Sequence, residues 1–281
     1  MDRGKTIQIY LPDGNPRSIR IAEITSRTVQ AILVPRTKLE EAASRPEISS
    51  VGIYFLIGVQ DEETRPLLYI GEAEDCLVRL KQHNKLKDFW TQAIVVISKT
   101  GYFTKSHIKY LESYFLEEAR KSARYKIENP TVPSQPYLPE PVQADMLDNA
   151  ETIRILVSTL GHPMFDTIIK PKKKDILTCK GEGVYAEGEM IDDGFIVFAA
   201  STCKTTETPT IGKWTSELRA RLIDEGILVP EEDVYKLSED YIFSSPSAAA
   251  ATVLARSANG WTLWKYSDGK TLDDVRRQAN Q

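Results

Sequence analysis

Between Asn129 and Pro141 the chain reads NPTVPSQPYLPEP, which places five of its 15 prolines within thirteen residues. Each proline fixes φ and lacks the amide proton that a helix or a central strand would use, so no regular element crosses this stretch. It predicts a linker over residues 134–145 and a chain in two parts, 1–133 and 146–281. A chain of 281 residues, 41% hydrophobic and 27% charged, has apolar material for a core on each side and is not a disordered polyelectrolyte. Lys and Arg total 36 against 40 Asp and Glu, a formal charge of −4. That balance excludes a bulk polycation, so contact with nucleic acid must come from local patches. Cys76, Cys179 and Cys203 are scattered and without CxxC spacing. They suggest reduced thiols in a cytoplasmic protein, not a disulfide framework or a zinc site. No apolar run approaches the length of a membrane span, and the opening MDRGKTIQIYLPDG lacks the apolar core of a signal peptide. A cytoplasmic location and no membrane partner are the expectation.

Before the prolines, the runs KTIQIYL, SIRIAEI and VQAILVP alternate with period two around a PDGNP turn. They predict an N-terminal β-rich element that, with a short helix and connector in TKLEEAASRPEISS, occupies residues 1–48. GIYFLIGV and LLYIG follow, rich in β-branched and aromatic residues and separated by polar residues with a proline. An antiparallel pair is their natural reading, with Tyr54 and Tyr69 on neighbouring strands and the register left open by the long loop. Gly71 ends the second strand, where a residue without a side chain lets another group approach. A helix from about Glu74 comes next, with Asp75 as N-cap and Leu77 and Leu80 as its apolar edge. Arg79 and His83, four apart, share a face of it. Strand tyrosines ordinarily pack across strands, and an Arg–His pair is ordinarily solvated surface. Here a guanidinium, the side chain best shaped to grip phosphate oxygens in a fork, follows directly from a strand pair bearing two tyrosines.

After a strand AIVVIS, a longer helix runs from about Thr104 to Tyr125. Ile108, Leu111, Phe115, Leu116 and Ala119 form one stripe along it, and Glu112 lies inside that stripe. A carboxylate on a packed face must be paired, protonated or bound to a metal. A buried salt bridge to Arg79 is one reading. A hard oxygen ligand for Mg²⁺, which keeps most of its own water, is the other. Asn129 lies just beyond the helix, where turn capping is the ordinary task of an asparagine.

Taken in order, Gly52-Ile53-Tyr54, Tyr69-Ile70-Gly71, Arg79 with His83, Glu112 and Asn129 resemble the motifs of the GIY-YIG nucleases, over about Val51 to Pro133. The resemblance implies a domain at 49–133 with a small three-stranded antiparallel sheet flanked by helices, within an α+β chain. It implies a DNA endonuclease dependent on Mg²⁺ or Mn²⁺, with the metal held by Glu112 and DNA as partner. By the same resemblance Arg79 stabilises charge on the scissile phosphate. One of Tyr54 and Tyr69 activates or positions the attacking water while the other holds the phosphate. His83 matches a histidine that some members have, and Asn129 supports the site. The sequence departs from the pattern after Tyr69-Ile70-Gly71. Many members carry a small polar residue there, whereas Glu72, Glu74 and Asp75 form an acidic edge that would repel a phosphate unless it faces away.

Beyond the prolines, residues 146–281 read as an α+β accessory domain. It has a helix DNAETIRILVSTLG, a basic KPKKK stretch, strands through GVYAEGEMIDDGFIVFAAS and a helix WTSELRARLIDEG. Residues from about 213 to 275 resemble a small C-terminal domain of unknown function that accompanies GIY-YIG nucleases. They also resemble the restriction-associated RAMA module, which implies recognition of modified DNA. Ser247 to Ala251 form a tight small-residue helix, and Trp261 and Trp264 alternate with Leu263 on a strand, as core packing or as a surface that stacks on a base. Lys99, Lys105, Lys109, Arg120, Lys121, Arg124 and Lys126 flank the Glu112 helix, and Lys170 with Lys172 to Lys174 follows the linker. Lining one groove, they would supply sequence-blind binding to DNA. The chain thus reads as a nuclease with a substrate-selecting tail, suited to restriction or defence. Its rivals are a catalytically silent nucleic-acid-binding or protein-interaction module that keeps the fold, and a DNA-repair nicking subunit that needs a partner.

Overall fold

Strand β3 (Val29–Pro35) is buried at every position but Gln30 and Pro35, and a strand covered on both faces needs neighbours on both edges. It finds them in β2 (Arg20–Ile24) and β6 (Gln92–Ser98), the latter paired from Val29 opposite Ser98 to Pro35 opposite Gln92. With β1 (Ile7–Tyr10), β4 (Gly52–Gly58), β5 (Leu67–Ala73) and β7 (Lys126–Ile127), they make a seven-stranded sheet in the order β1-β2-β3-β6-β4-β5-β7. This computed structural model describes residues 4–59, 65–131, 133–166, 176–192 and 194–277. The antiparallel triple β6-β4-β5 is present, but the N-terminal strands extend it. The expected separate element at 1–48 is therefore part of the same sheet, because its apolar strand β3 can be covered only by pairing with β6.

The two faces of the sheet carry different helices. Ile53, Phe55, Ile57, Leu68 and Ile70 pack with α3 (Lys105–Ser122) and α4 (Glu140–Thr159). The rings of Phe55, Phe115 and Phe165 sit 4.4–5.7 Å apart in this core. Full burial of each contributes about 1.5–3 kcal/mol. The opposite face presents Tyr54, Leu56, Val95 and Ile97 to α1 (Leu39–Ala42) and α2 (Cys76–Leu86).

The proline-rich stretch does not divide the chain. Leu138 is buried, and α4 lays Met146, Ala150, Ile153, Leu156 and Val157 onto the first core. Pro139 is its N-cap and Pro141 falls in its first turn, where a missing amide proton costs nothing. The compact units are Met1–Ile168 and Ile169–Gln281, so the expected linker at 134–145 is replaced by a break between Ile168 and Ile169. Lys170 and Lys172 to Lys174 lie outside the described residues.

In the second unit, β8 (Leu177–Gly181), β9 (Val184–Ile191), β10 (Gly194–Val197) and β14 (Tyr241–Phe243) form one sheet. β11 (Thr202–Lys204), β12 (Leu228–Glu231) and β13 (Val234–Leu237) form another. The helices are α5 (Lys213–Asp224), α6 (Pro246–Leu254), α7 (Gly260–Leu263) and α8 (Leu272–Arg276). The expected strand with Trp261 and Trp264 is instead the turn α7, capped by the Asn259 side chain. Trp264 is fully buried, its ring 4.5 Å from that of Phe195 and its indole N–H donating to the Pro246 carbonyl at 3.0 Å. Trp261 is half-buried beneath the Arg277 guanidinium, 3.6 Å from the ring centroid. The architecture is α+β in both units, and among the described residues no helix is long and apolar enough to cross a membrane.

Candidate active site

The register of β4 on β5 places Tyr54 opposite Gly71 and Leu56 opposite Tyr69. Side chains alternate along a strand, so the two tyrosines are diagonal neighbours on one face. Their rings stack at 24° with centroids 6.3 Å apart. Gly71 is required here, since a Cβ at that position would collide with the Tyr54 phenol. The side chain of Asp75 accepts from the Val78 amide at 3.0 Å and caps α2, as its sequence position predicts. That cap starts the helix where Arg79 and His83 turn toward the tyrosines.

The Tyr54 hydroxyl is the meeting point. It lies 2.8 Å from His83 Nε2 and accepts from Arg79 Nε at 3.4 Å. Burial, then the charges of Arg79 and Lys87, press the His83 imidazole down to about 4, so it is neutral near pH 7. A neutral ring whose Nε2 accepts the Tyr54 proton carries its own proton on Nδ1, a buried atom without a partner. Burial first, and then Tyr69, hold the Tyr54 phenol above its ordinary range, with Arg79 opposing. Arg79 itself is exposed, and Gln82 Oε1 accepts from its Nη1 at 3.0 Å.

Glu112 comes from α3, which packs on the other face of the sheet. It is half-buried, and among the described residues it has no hydrogen bond or ion pair. The salt bridge to Arg79 is therefore not formed. Burial first, then the charge of Glu72, lift its carboxyl to about 7, with Lys109, Lys105 and Arg79 acting against them. A carboxylate with no partner of its own fits a single-ligand Mg²⁺ site completed by water. Among the described residues no three His, Cys, Asp or Glu side chains gather as a larger metal set. The acidic edge is turned from the tyrosines: Glu72 alternates to the opposite face from Tyr69, and Lys105 lies 3.2 Å from it and 3.6 Å from Glu74.

Asn129 works differently from a turn cap. Its Oδ1 accepts from the Ile70 amide at 2.9 Å and its Nδ2 donates to the Ile70 carbonyl at 2.7 Å. It continues the edge pairing that β7 begins, where the Lys126 amide donates to the Pro66 carbonyl and the Glu128 amide to the Leu68 carbonyl, and so secures β5 between Tyr69 and Gly71.

The structure thus joins Tyr54, Tyr69, Arg79 and His83 in one cluster, braces it with Asn129, and brings Glu112 near only as a charge. Sequence reasoning missed Gln82 and Lys87. The Lys87 ammonium lies 4.4 Å above the Tyr69 ring. Its signal was present, because Arg79, His83 and Lys87 repeat every four residues. The expected basic groove around α3 is largely neutralised: Lys99 pairs with Glu23, Lys105 with Glu72, and Lys121 with Glu118. Arg124 Nε donates to the Asp166 carbonyl.

Residues 177–276 match a family described as a domain of unknown function, DUF4357. The match begins at β8, well before the expected 213, and makes most of the second unit a C-terminal accessory domain of unknown function. Among curated proteins and solved structures, no match to the chain is found.

Proposed function

We propose that the first unit is a metal-dependent endonuclease that hydrolyses DNA phosphodiester bonds, and that the second unit selects the substrate, in a setting of restriction or defence. The observation that supports this most is the Tyr54 hydroxyl, held between a charged guanidinium and a neutral imidazole. The exposed planar fork of Arg79 binds non-bridging phosphate oxygens and stabilises the charge that builds on them during attack. Tyr54 orients the attacking water. As the water's proton moves to the Tyr54 oxygen, the phenol's own proton passes to His83 Nε2. An unliganded His83 is a weak acceptor, with a pKa of about 4, and a bound phosphate raises its basicity by its negative charge. Tyr69 walls the site, and Asn129 keeps its strand in register. Glu112 would hold the Mg²⁺, which when bound supplies further stabilisation of phosphate charge.

One observation favours a second reading. Glu112 touches none of the cluster, as a catalytically silent nucleic-acid-binding module that keeps the fold would allow. Incubation with plasmid, linear duplex and single-stranded DNA in Mg²⁺, Mn²⁺ or EDTA separates the two. The nuclease reading expects cleavage that EDTA abolishes and that Glu112→Gln lowers by at least about 100-fold while DNA binding survives. Binding without cleavage in either metal selects the silent module.

A further inference from the structure

Arg79, His83 and Lys87 occupy successive turns on one flank of α2 and its C-cap. At about 1.5 Å per residue, Arg79 and Lys87 start about 12 Å apart along the axis, yet both side chains turn onto the tyrosine pair. Arg79 reaches the Tyr54 hydroxyl, and the Lys87 ammonium lies over the Tyr69 ring. His83 is buried between them, close to both rings.

We propose that Lys87 is a second phosphate-binding residue of this site, holding the phosphate next to the one gripped by Arg79 on the same DNA strand. The inference rests on the nuclease reading above. Lys87 is half-buried, and among the described residues it has no carboxylate within ion-pair distance. An ammonium that has given up part of its water ordinarily gains an anion in exchange. The aromatic face beneath it returns part of that loss but leaves the outward N–H donors open. The cluster it borders contains one cation, Arg79, and no carboxylate, with Glu72 on the opposite face of β5. Lysines elsewhere in the unit differ in one of two ways: Lys99, Lys105 and Lys121 are each paired with glutamate, while Lys81, Lys85 and Lys109 are exposed and keep their water. A bracket of two cations about a stacked aromatic pair matches a run of phosphates better than a single small anion.

The test uses the full chain in EDTA, with labelled duplex DNA titrated across about 50 to 200 mM salt. Wild type is compared with Lys87→Ala, Lys87→Arg and Lys121→Ala, each checked by thermal unfolding. Loss of one phosphate contact should reduce the slope of log K against log salt by about 0.9 in Lys87→Ala. Lys87→Arg should keep the wild-type slope, and so should Lys121→Ala, whose charge is already neutralised by Glu118. Lys87→Ala with an unchanged slope overturns the proposal; if wild type in that case still binds DNA in EDTA and cuts it once Mg²⁺ is added, the nuclease reading stands. A wild type that binds no DNA overturns both. A Lys87-dependent affinity for inorganic phosphate with no change in the DNA slope assigns the site to a small anion and also overturns it.

Discussion

Two arginines show how the two units use the same side chain. Arg219, on α5 of the second unit, is 1% exposed and closes entirely on its own chain. Its Nε donates to Glu207 at 3.0 Å, its Nη1 to the Thr252 carbonyl, and its Nη2 to the Lys204 carbonyl at 2.5 Å. Arg79 is exposed and spends one donor on Gln82 and one, at 3.4 Å, on Tyr54. The glutamates divide the same way: Glu207 is paired, and Glu112 is half-buried with nothing to hold. A group that holds a fold finds its partners within the fold. A group whose partners are missing from the fold is ready for something from outside.

The largest effect should come from Arg219→Leu. It leaves Glu207 with only the Ser216 hydroxyl as donor and two carbonyls without theirs, and the loss of one member of a buried charged network costs about 3–5 kcal/mol. Thermal or urea unfolding should show the second unit melting first. A variant as stable as wild type would show that Arg219 is not what ties α5 to α6 and β11.

Arg79→Lys keeps the charge and loses the fork. Cleavage should fall about 10²–10³-fold, with a melting temperature indistinguishable from wild type. Near-full activity of the lysine variant would remove the forked grip from the mechanism, and a large drop in melting temperature would make Arg79 a second Arg219.

Glu112→Gln, measured in EDTA, tests the smallest effect and its sign. The Glu112 carboxyl is raised from an ordinary 4.5 to about 7, so the folded chain holds its proton more tightly than the unfolded chain. Its contribution to stability is therefore complete below about pH 4.5 and lost as the pH rises through about 7. The glutamine variant should match wild type near pH 4.5 and exceed it near pH 8. After discounting for partial exposure and solvent screening, the gain is about 1–2 kcal/mol. Melting curves at the two pH values give the answer. A glutamine variant less stable than wild type at pH 8 would mean that Glu112 has a structural partner.

Local signals carried much of this structure. Period-two alternation located β1 to β3, β-branched and aromatic runs located β4 and β5, Asp75 marked the start of α2, and the apolar stripe of α3 singled out Glu112. What failed depends on pairing between distant residues. Alternation made β3 a strand but could not say that its neighbour would be β6, more than fifty residues on. Prolines kept helix out of the stretch before Pro139, but they did not show that α4 would start at Glu140, inside the expected linker, and turn back onto the same sheet. The spacing of Trp261 and Trp264 suited a strand until Asn259 capped a helical turn. Within the site, Tyr54, Tyr69, Arg79 and His83 were legible because ordered short motifs reported them. The edge pairing of Asn129 with Ile70 became visible only with the register.

That edge pairing also fixes when the site can exist. Asn129 is joined to Ile70 across 59 positions of sequence, and α3 must be in place before the two can meet. A chain still being synthesised has both tyrosines and Arg79 long before it has Asn129. Until then β5 is an outer strand, paired with β4 on one edge and open on the other at Ile70. Closing so long a loop is a late event in folding. The cluster is therefore braced on both edges of β5 only once Asn129 is in place, and a chain that has not reached it carries Tyr69 on a strand paired on one edge alone.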